Sequence, residues 1–473
     1  PPWPAMPERH EIQARFRRDA TAILRLGAPL IVNNLVMAGM WVTNTMAAGR
    51  VGSEPLAGVA VGASYYQFFW LMGLGVLMSL PPLVAHAYGA GRDEEVGHRF
   101  RQGLWLSQFL AVPLLLALLA VRPVLQWFGV DERTVPHAVV YVHTLCLGMP
   151  AMLAYLAHRY MTEGVGWTRP IMFTAAVGLA VNVVGNLLFT LGHLGVPSLG
   201  AQGCALATVL AQWSMLAVMH LYQRRHRIYR RFGLFSHFER PSPATLRSIL
   251  ALGLPIGGSV ISEGGLFSVA GMLMGTLGTE IVAAHQIALT WGAVMFMVPL
   301  AFHSATTVHV GHKVGAGNAA AGRFAGWSGI VMCGIFMAAS ALVIVAANER
   351  IPALFTTDRD VRALAAGLLL FVALFHVPDG VQVGAAGALR GFKDAHVPMA
   401  FNFVSYWMIG FPVAWWLGIR EGHGPRGIWV GLILGLFACA VLLSLRYRQV
   451  SNRAVSTVAT SGAAQAAPAG PAI

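Results

Sequence analysis

Along this chain, apolar runs as long as a bilayer is thick alternate with short polar segments. About 20 apolar residues are needed to cross a hydrocarbon core as a helix. Twelve runs reach that length, near 24–49, 57–86, 102–121, 136–158, 170–192, 200–221, 248–277, 282–311, 324–347, 363–389, 397–418 and 427–446. Many contain Gly or Pro, which spanning helices tolerate better than soluble ones. The pattern predicts an all-α integral membrane protein with twelve transmembrane helices.

Composition agrees. Of 473 residues, 56% are hydrophobic and 11% charged, against about 25% charged in an ordinary soluble domain. The net charge of +13 raises nucleic acid as a partner, but its distribution points elsewhere. Of the 32 Lys and Arg residues, 24 fall on the alternate segments that include both termini, and 8 on the other set. Basic residues concentrate in cytoplasmic loops, so both termini are expected in the cytoplasm and no nucleic-acid partner is expected. The longest polar segment, His220 to Arg247, carries Arg224, Arg225, Arg227, Arg230, Arg231 and Arg240. It reads as a cytoplasmic linker. Pro1 to Asp19 is polar and basic and does not look like a cleavable signal peptide. The four cysteines are scattered singly in apolar segments, as packing residues are. The tail from Ser451, rich in Ala, Gly, Ser, Thr and Pro, is expected to be disordered.

The chain repeats itself. Leu26-Gly27-Ala28-Pro29 aligns with Leu252-Gly253-Leu254-Pro255 at an offset of 226, and Gly49, Gly52 and Gly89-Ala90-Gly91 fall on Gly275, Gly278 and Gly315-Ala316-Gly317. The offset drifts to 228 by Pro150 and Pro170, which fall on Pro378 and Pro398. Six spans per repeat is an even number, so both halves enter the membrane from one side. A pseudo-two-fold axis along the membrane normal is expected between two six-helix lobes, with a substrate site near the midplane. The expected organisation is a cytoplasmic segment (1–22), an N-terminal lobe (23–222), a linker (223–246), a C-terminal lobe (247–448) and a disordered tail (449–473).

Two acids break the apolar pattern deep within spans: Glu263 and Asp379. A charge at bilayer depth costs on the order of 3 kcal/mol even on lenient scales, and such groups usually face a cavity or a partner. Their repeat counterparts are Met37 and Ala151. Packing would have served both halves alike, so the asymmetry points to function. Asp379 follows Pro378, which frees the carbonyl of Leu374. A carboxylate beside a free carbonyl suits a hard cation. In the N-terminal half, Asn182 and Asn186 share a helix face, and Asn33, Asn34 and Asn44 are further polar positions. Each serves equally well for interhelical hydrogen bonding. Aromatics such as Trp291 and Tyr406 suit flat cations or packing. His309 and His312 are a weak metal pair that an interfacial position explains. No phosphate-binding loop, nucleophile elbow or His-Glu-x-x-His run is present in the sequence, so no enzyme activity is expected.

These stretches resemble the multidrug and toxin extrusion (MATE) family, most closely its bacterial NorM-type branch. Gly39-Met-Trp-Val-Thr-Asn-Thr-Met-Ala-Ala-Gly49 is similar to the first-span motif, and Val282-Ala-Ala-His-Gln-Ile-Ala288 to the start of the eighth span. Pro378-Asp-Gly-Val-Gln382 and Gly387-Ala-Leu-Arg-Gly-Phe-Lys-Asp394 are similar to the tenth span and its exit loop, and Phe235 to Pro241 to the linker. The resemblance implies a multi-pass protein of the bacterial inner membrane, exporting cationic organic compounds in antiport with Na⁺ or H⁺, as a monomer and without a cofactor. It implies a cation (metal) site at Glu263 and Asp379, with Phe375 beside it, and drug contacts at Asn44, Asn182, Asn186, Gln286, Trp291 and Tyr406. Two departures stand out. Asn44 occupies the place of the usual first-span Asp, and Phe375 that of a frequent Tyr. The alternatives are a lipid-linked oligosaccharide flippase of the same superfamily, or a membrane-embedded transferase. Few Lys or Arg inside the spans speak against the first, and the lack of polar catalytic clusters at one membrane face against the second.

Overall fold

A computed structural model describes residues 9–193, 195 and 197–465, with side chains described to residue 457. Among them there is no strand. The helices are α1 (Arg9–Val51), α2 (Ser53–Leu77), α3 (Leu80–Gly89), α4 (Asp93–Leu119), α5 (Val121–Trp127), α6 (Val135–Cys146), α7 (Met149–Gly164), α8 (Arg169–Gly185), α9 (Ala201–Arg225) and α10 (Arg227–Arg230). They continue as α11 (Pro243–Gly275), α12 (Thr279–Gly315), α13 (Ala319–Ala347), α14 (Arg350–Ala353), α15 (Arg359–Gly391), α16 (His396–Phe403), α17 (Phe411–Trp415) and α18 (Gly424–Gln465). Among the described residues eleven helical stretches, some with an internal break, are long and apolar enough to cross a membrane, and the pair α6–α7, bent by 49°, brings the number to twelve. The protein is an all-α membrane protein, and all twelve apolar runs of the sequence are helical.

Helix continuity differs from the sequence reading in three places. The second span breaks at Met78, between α2 and α3. The fourth span bends around Leu147 and Gly148, just before Pro150, which lacks the N–H an unbroken helix would use. At the far end, α18 runs on to Gln465. The tail expected to be disordered from 449 is therefore helical as far as 465, because Ala-rich sequence continues a helix already nucleated by the last span. Residues 1–8 of the expected N-terminal segment and 466–473 of the expected tail lie outside the described residues.

The repeat is visible in the backbone. α3 ends at Gly89 and α12 at Gly315, and α4 begins at Asp93 and α13 at Ala319, each at the offset of 226. Between them Gly91 (φ 71°) and Gly317 (φ 78°) hold the left-handed turn that a side chain disfavours. Later in each half the helix widens to bonds spanning five residues: Leu191 N–H donates to the Asn186 carbonyl (3.1 Å) and Glu421 N–H to Trp416 (2.9 Å).

The chain forms two compact units: Ala28–Val84 with Arg92–Ile261, and the described part of Pro1–Gly27 with Ala85–Gly91 and Ser262–Ile473. In the first, the linker is docked on α4. Glu239 accepts from Arg101 Nε (2.5 Å) and Gln102 Nε2 (3.2 Å) and pairs with His98. The Trp105 indole donates to the Glu239 carbonyl (2.8 Å), and Arg231 grips Asp93 with two bonds (2.7 and 2.8 Å). Burial opposes the charge on Glu239, but the bonds from Arg101 and His98 outweigh it and hold the carboxyl below its ordinary pKa. In the second unit, repeat-equivalent residues cross. Gly89 packs on the backbone of His312, and its mate Gly315 on the backbone of His86, the mate of His312. His86 Nε2 lies 2.7 Å from the Gly391 carbonyl. Asp19 takes His309 Nε2 (3.0 Å) and Lys313 Nζ (2.5 Å). His309 is thus held by a carboxylate, and His312 by the crossing.

A side chain at either crossing glycine has only backbone to push against. Gly89→Val or Gly315→Val is expected to destabilise the protein by about 1–3 kcal/mol or more, read as a lowered thermal midpoint in detergent. Gly271→Ala, with nothing within 4 Å of its Cβ, is the control and should leave the midpoint unchanged or raised.

Candidate functional site

Two polar clusters form inside the helices, one in each compact unit. The first is built on α1, α8 and α9. Asn44 accepts on one oxygen from Asn182 Nδ2 (3.1 Å) and Asn186 Nδ2 (2.8 Å), and donates to Thr208 Oγ1 (2.9 Å). Asn186 in turn accepts from Thr190 Oγ1 (2.9 Å) and Cys204 Sγ (3.2 Å). All three asparagines are buried. The widened turn that begins at Asn186 places Thr190 four residues on, with its hydroxyl against that side chain. The structure thus brings together the three asparagines singled out from the sequence, and they satisfy one another.

The second cluster is built on α11, α12, α15 and the last two spans. Asp379 is buried, Glu263 half-buried, and the two carboxylates act on each other electrostatically. The charge of Arg390 also reaches Glu263. Phe375, one turn before Asp379, packs edge-on against Phe267 (5.8 Å) and Trp429 (5.9 Å), and Trp429 meets His285 (5.6 Å). Tyr406 is fully buried, beside the Cys439 thiol, within reach of both acids' charge. Trp291 packs on the same core. Gln286 is exposed on α12 and takes no part in this packing.

The distinguishing feature is what these residues lack. Both ring nitrogens of His285 and of His376, the Gln382 Oε1 and the indole nitrogens of Trp291 and Trp429 are buried with no hydrogen-bond partner in the protein. An unmet buried polar atom costs roughly 1–3 kcal/mol, and native proteins contain few. His376 and Gln382 lie three residues either side of Asp379, on its helix face. Sequence reasoning passed over both, although that spacing gave the signal. It also passed over another buried acid, Glu163, only 2% exposed, because the span was ended at 158. Arg159 lies 3.8 Å from it, one turn back.

The donor set of the second cluster fits a small hard cation: two carboxylates and an unmet amide oxygen. Among the described residues no group of three or more His, Cys, Asp or Glu is placed to hold a metal ion.

The MatE family profile matches residues 29–188 and again 255–416. The two matches start 226 residues apart and end 228 apart, which are the offsets of the internal repeat. The chain belongs to the MatE family. Within MatE its relatives are of the NorM type. It is 40% identical to the "Probable multidrug resistance protein NorM" of Xanthomonas axonopodis pv. citri over 92% of this chain and 94% of that one. It is 37% identical to the multidrug resistance protein PmpM of Pseudomonas aeruginosa, over 93% of each chain. A solved structure titled as MATE in the bent conformation superposes with a TM-score of 0.84 at 21% identity, over 95% of this chain and 99% of that one. The MatE profile covers the three asparagines of the first cluster but not Thr190, Cys204 or Thr208, and covers the second cluster apart from Trp429 and Cys439.

Asn44 tests the first cluster. In Asn44→Asp one oxygen keeps the bonds from Asn182 and Asn186, and the other loses its bond to Thr208 unless that hydroxyl turns away from the Cys204 carbonyl to which it donates (3.0 Å). The N-terminal half then carries a titratable group, and the pH profile of export is expected to gain an additional limb. An unchanged profile would place Asn44 outside the transport cycle.

Proposed function

We propose that this chain is a secondary multidrug efflux transporter that exports cationic organic compounds in exchange for Na⁺ or H⁺. Two relatives named as multidrug resistance proteins support the drug-export part. The observation that carries the coupling part is the carboxylate pair Glu263 and Asp379, present in one repeat only and in a compact unit that also holds unmet buried polar atoms.

The chemistry follows from charge. Glu263 and Asp379 are the cation ligands in this reading, with the Gln382 oxygen and the Leu374 carbonyl freed by Pro378 as further donors. Phe375 offers a ring face or edge but no hydroxyl. A buried carboxylate without a counter-ion is costly, so the pair always holds one: a cationic drug, a sodium ion or a proton. Entry of the coupling ion displaces the drug, and the next drug displaces the ion. Exchange of one Na⁺ for one monovalent drug moves no net charge. Each additional cation entering with the potential contributes about 2.3 kcal/mol per 100 mV. Drug contacts are assigned to Trp291, Tyr406 and Gln286 in the C-terminal half, and to Asn44, Asn182 and Asn186 in the N-terminal half. The chain works as a monomer in the bacterial inner membrane, with both termini cytoplasmic and the two six-helix lobes as its moving parts.

Glu263→Gln and Asp379→Asn keep the shape of each side chain and remove its charge. Each is expected to abolish ion-driven ethidium efflux from proteoliposomes while the thermal midpoint and yield stay near those of the unaltered chain. Sodium-driven efflux at the ordinary rate in both variants would overturn the proposal.

A further inference from the structure

Away from both clusters, a groove of about 610 Å³ runs between the start of α1 and the face of α13. That lies within the range of small-ligand sites, roughly 300–1,000 Å³. One wall carries Ile12, Gln13, Phe16 and Arg17, and the other Phe324, Trp327, Ser328, Val331 and Ile335. The wall residues follow helical spacing. Ile12 and Phe16, like Gln13 and Arg17, are four apart, and Phe324, Trp327, Val331 and Ile335 are three or four apart. The groove is therefore a seam between two helix faces.

Its ends differ in chemistry. Phe324 stands at the start of an apolar span, so Val331 and Ile335 lie roughly 10–17 Å further along it at 1.5 Å per residue. Both are exposed, at 43% and 60%, as acyl-chain-facing residues are. Arg17 precedes the first span by seven residues and is exposed, which places it at headgroup level. Its acidic neighbour Asp19 does not cancel it, because Lys313 and His309 already hold that carboxylate. Between residues 9 and 25 of α1, Arg9, Arg15, Arg17, Arg18 and Arg25 face only Glu11 and Asp19 in sequence. The Trp327 ring, packed on Tyr447 (5.4 Å), has the amphipathic character that favours the interface.

We infer that this groove is a binding site for one anionic phospholipid, its acyl chain along Trp327, Val331 and Ile335 and its phosphate on Arg17. An apolar groove with an arginine in its lining complements both the acyl chain and the phosphate of that molecule. A zwitterionic lipid would fill the apolar part without the net charge.

The experiment uses the full chain in detergent. Phosphatidylglycerol or phosphatidylcholine with identical acyl chains is added, and bound lipid is counted by native mass spectrometry alongside the thermal midpoint. The unaltered chain is expected to retain one phosphatidylglycerol about tenfold more tightly than phosphatidylcholine, the scale of a charge-assisted contact. Arg17→Gln should bring the two lipids to near parity. Val331→Trp, which fills the groove, should lose both. Equal retention of the two lipids by the unaltered chain would overturn the inference, as would a preference that survives both substitutions. A midpoint shift reproduced by glycerol phosphate alone would show a headgroup-anion site instead. Loss of the lipid on dimerisation would show that a second copy fills the seam.

Discussion

Everything distinctive in this protein follows from keeping two carboxylates inside a helical membrane domain. Water normally stabilises such charges. Here Glu263 and Asp379 have each other as electrostatic neighbours, which raises the cost, and only the field of Arg390 to offset it. His285, His376, Gln382, Trp291 and Trp429 keep unmet polar atoms in the packed interior. Each is a liability in an empty core and an asset around a ligand that needs donors, acceptors or ring edges.

The repeat makes this arrangement legible by contrast. Both halves share helix ends and left-handed glycine turns at matching offsets, and each contains widened helical segments. The two polar clusters are handled in opposite ways. Around Asn44 the amides and hydroxyls close on one another, and such a network holds three helices together whether or not anything binds. Around Asp379 they do not close. The skeleton was duplicated, and the chemistry resides in what one copy left open.

Hydropathy alone located the twelve spans, because a bilayer leaves little choice but a helix for an apolar run of that length. It also exposed Glu263 and Asp379, which are conspicuous in apolar surroundings. Other features follow from tertiary context. Glu163 was missed because α7 runs on to Gly164, past the point where hydropathy falls. The helix through residue 465 depends on its attachment to the last span, since an isolated Ala- and Ser-rich segment would not hold that shape. The partnering of the asparagines, and the lack of partners around His376, depend on which faces of distant helices meet.

That difference in closure bears on how an exchanger avoids leaking. A site whose polar atoms satisfied one another would be stable empty, and could change its exposure without cargo. A site whose carboxylates and unmet donors are stable only with a cation bound has no comfortable empty state. Movement of an unoccupied carrier is then the costly step, and movement with either the drug or the coupling ion is the easy one. On the proposed antiport reading, obligatory exchange would need no separate gate: two acids that the apolar helices cannot otherwise accommodate would supply it.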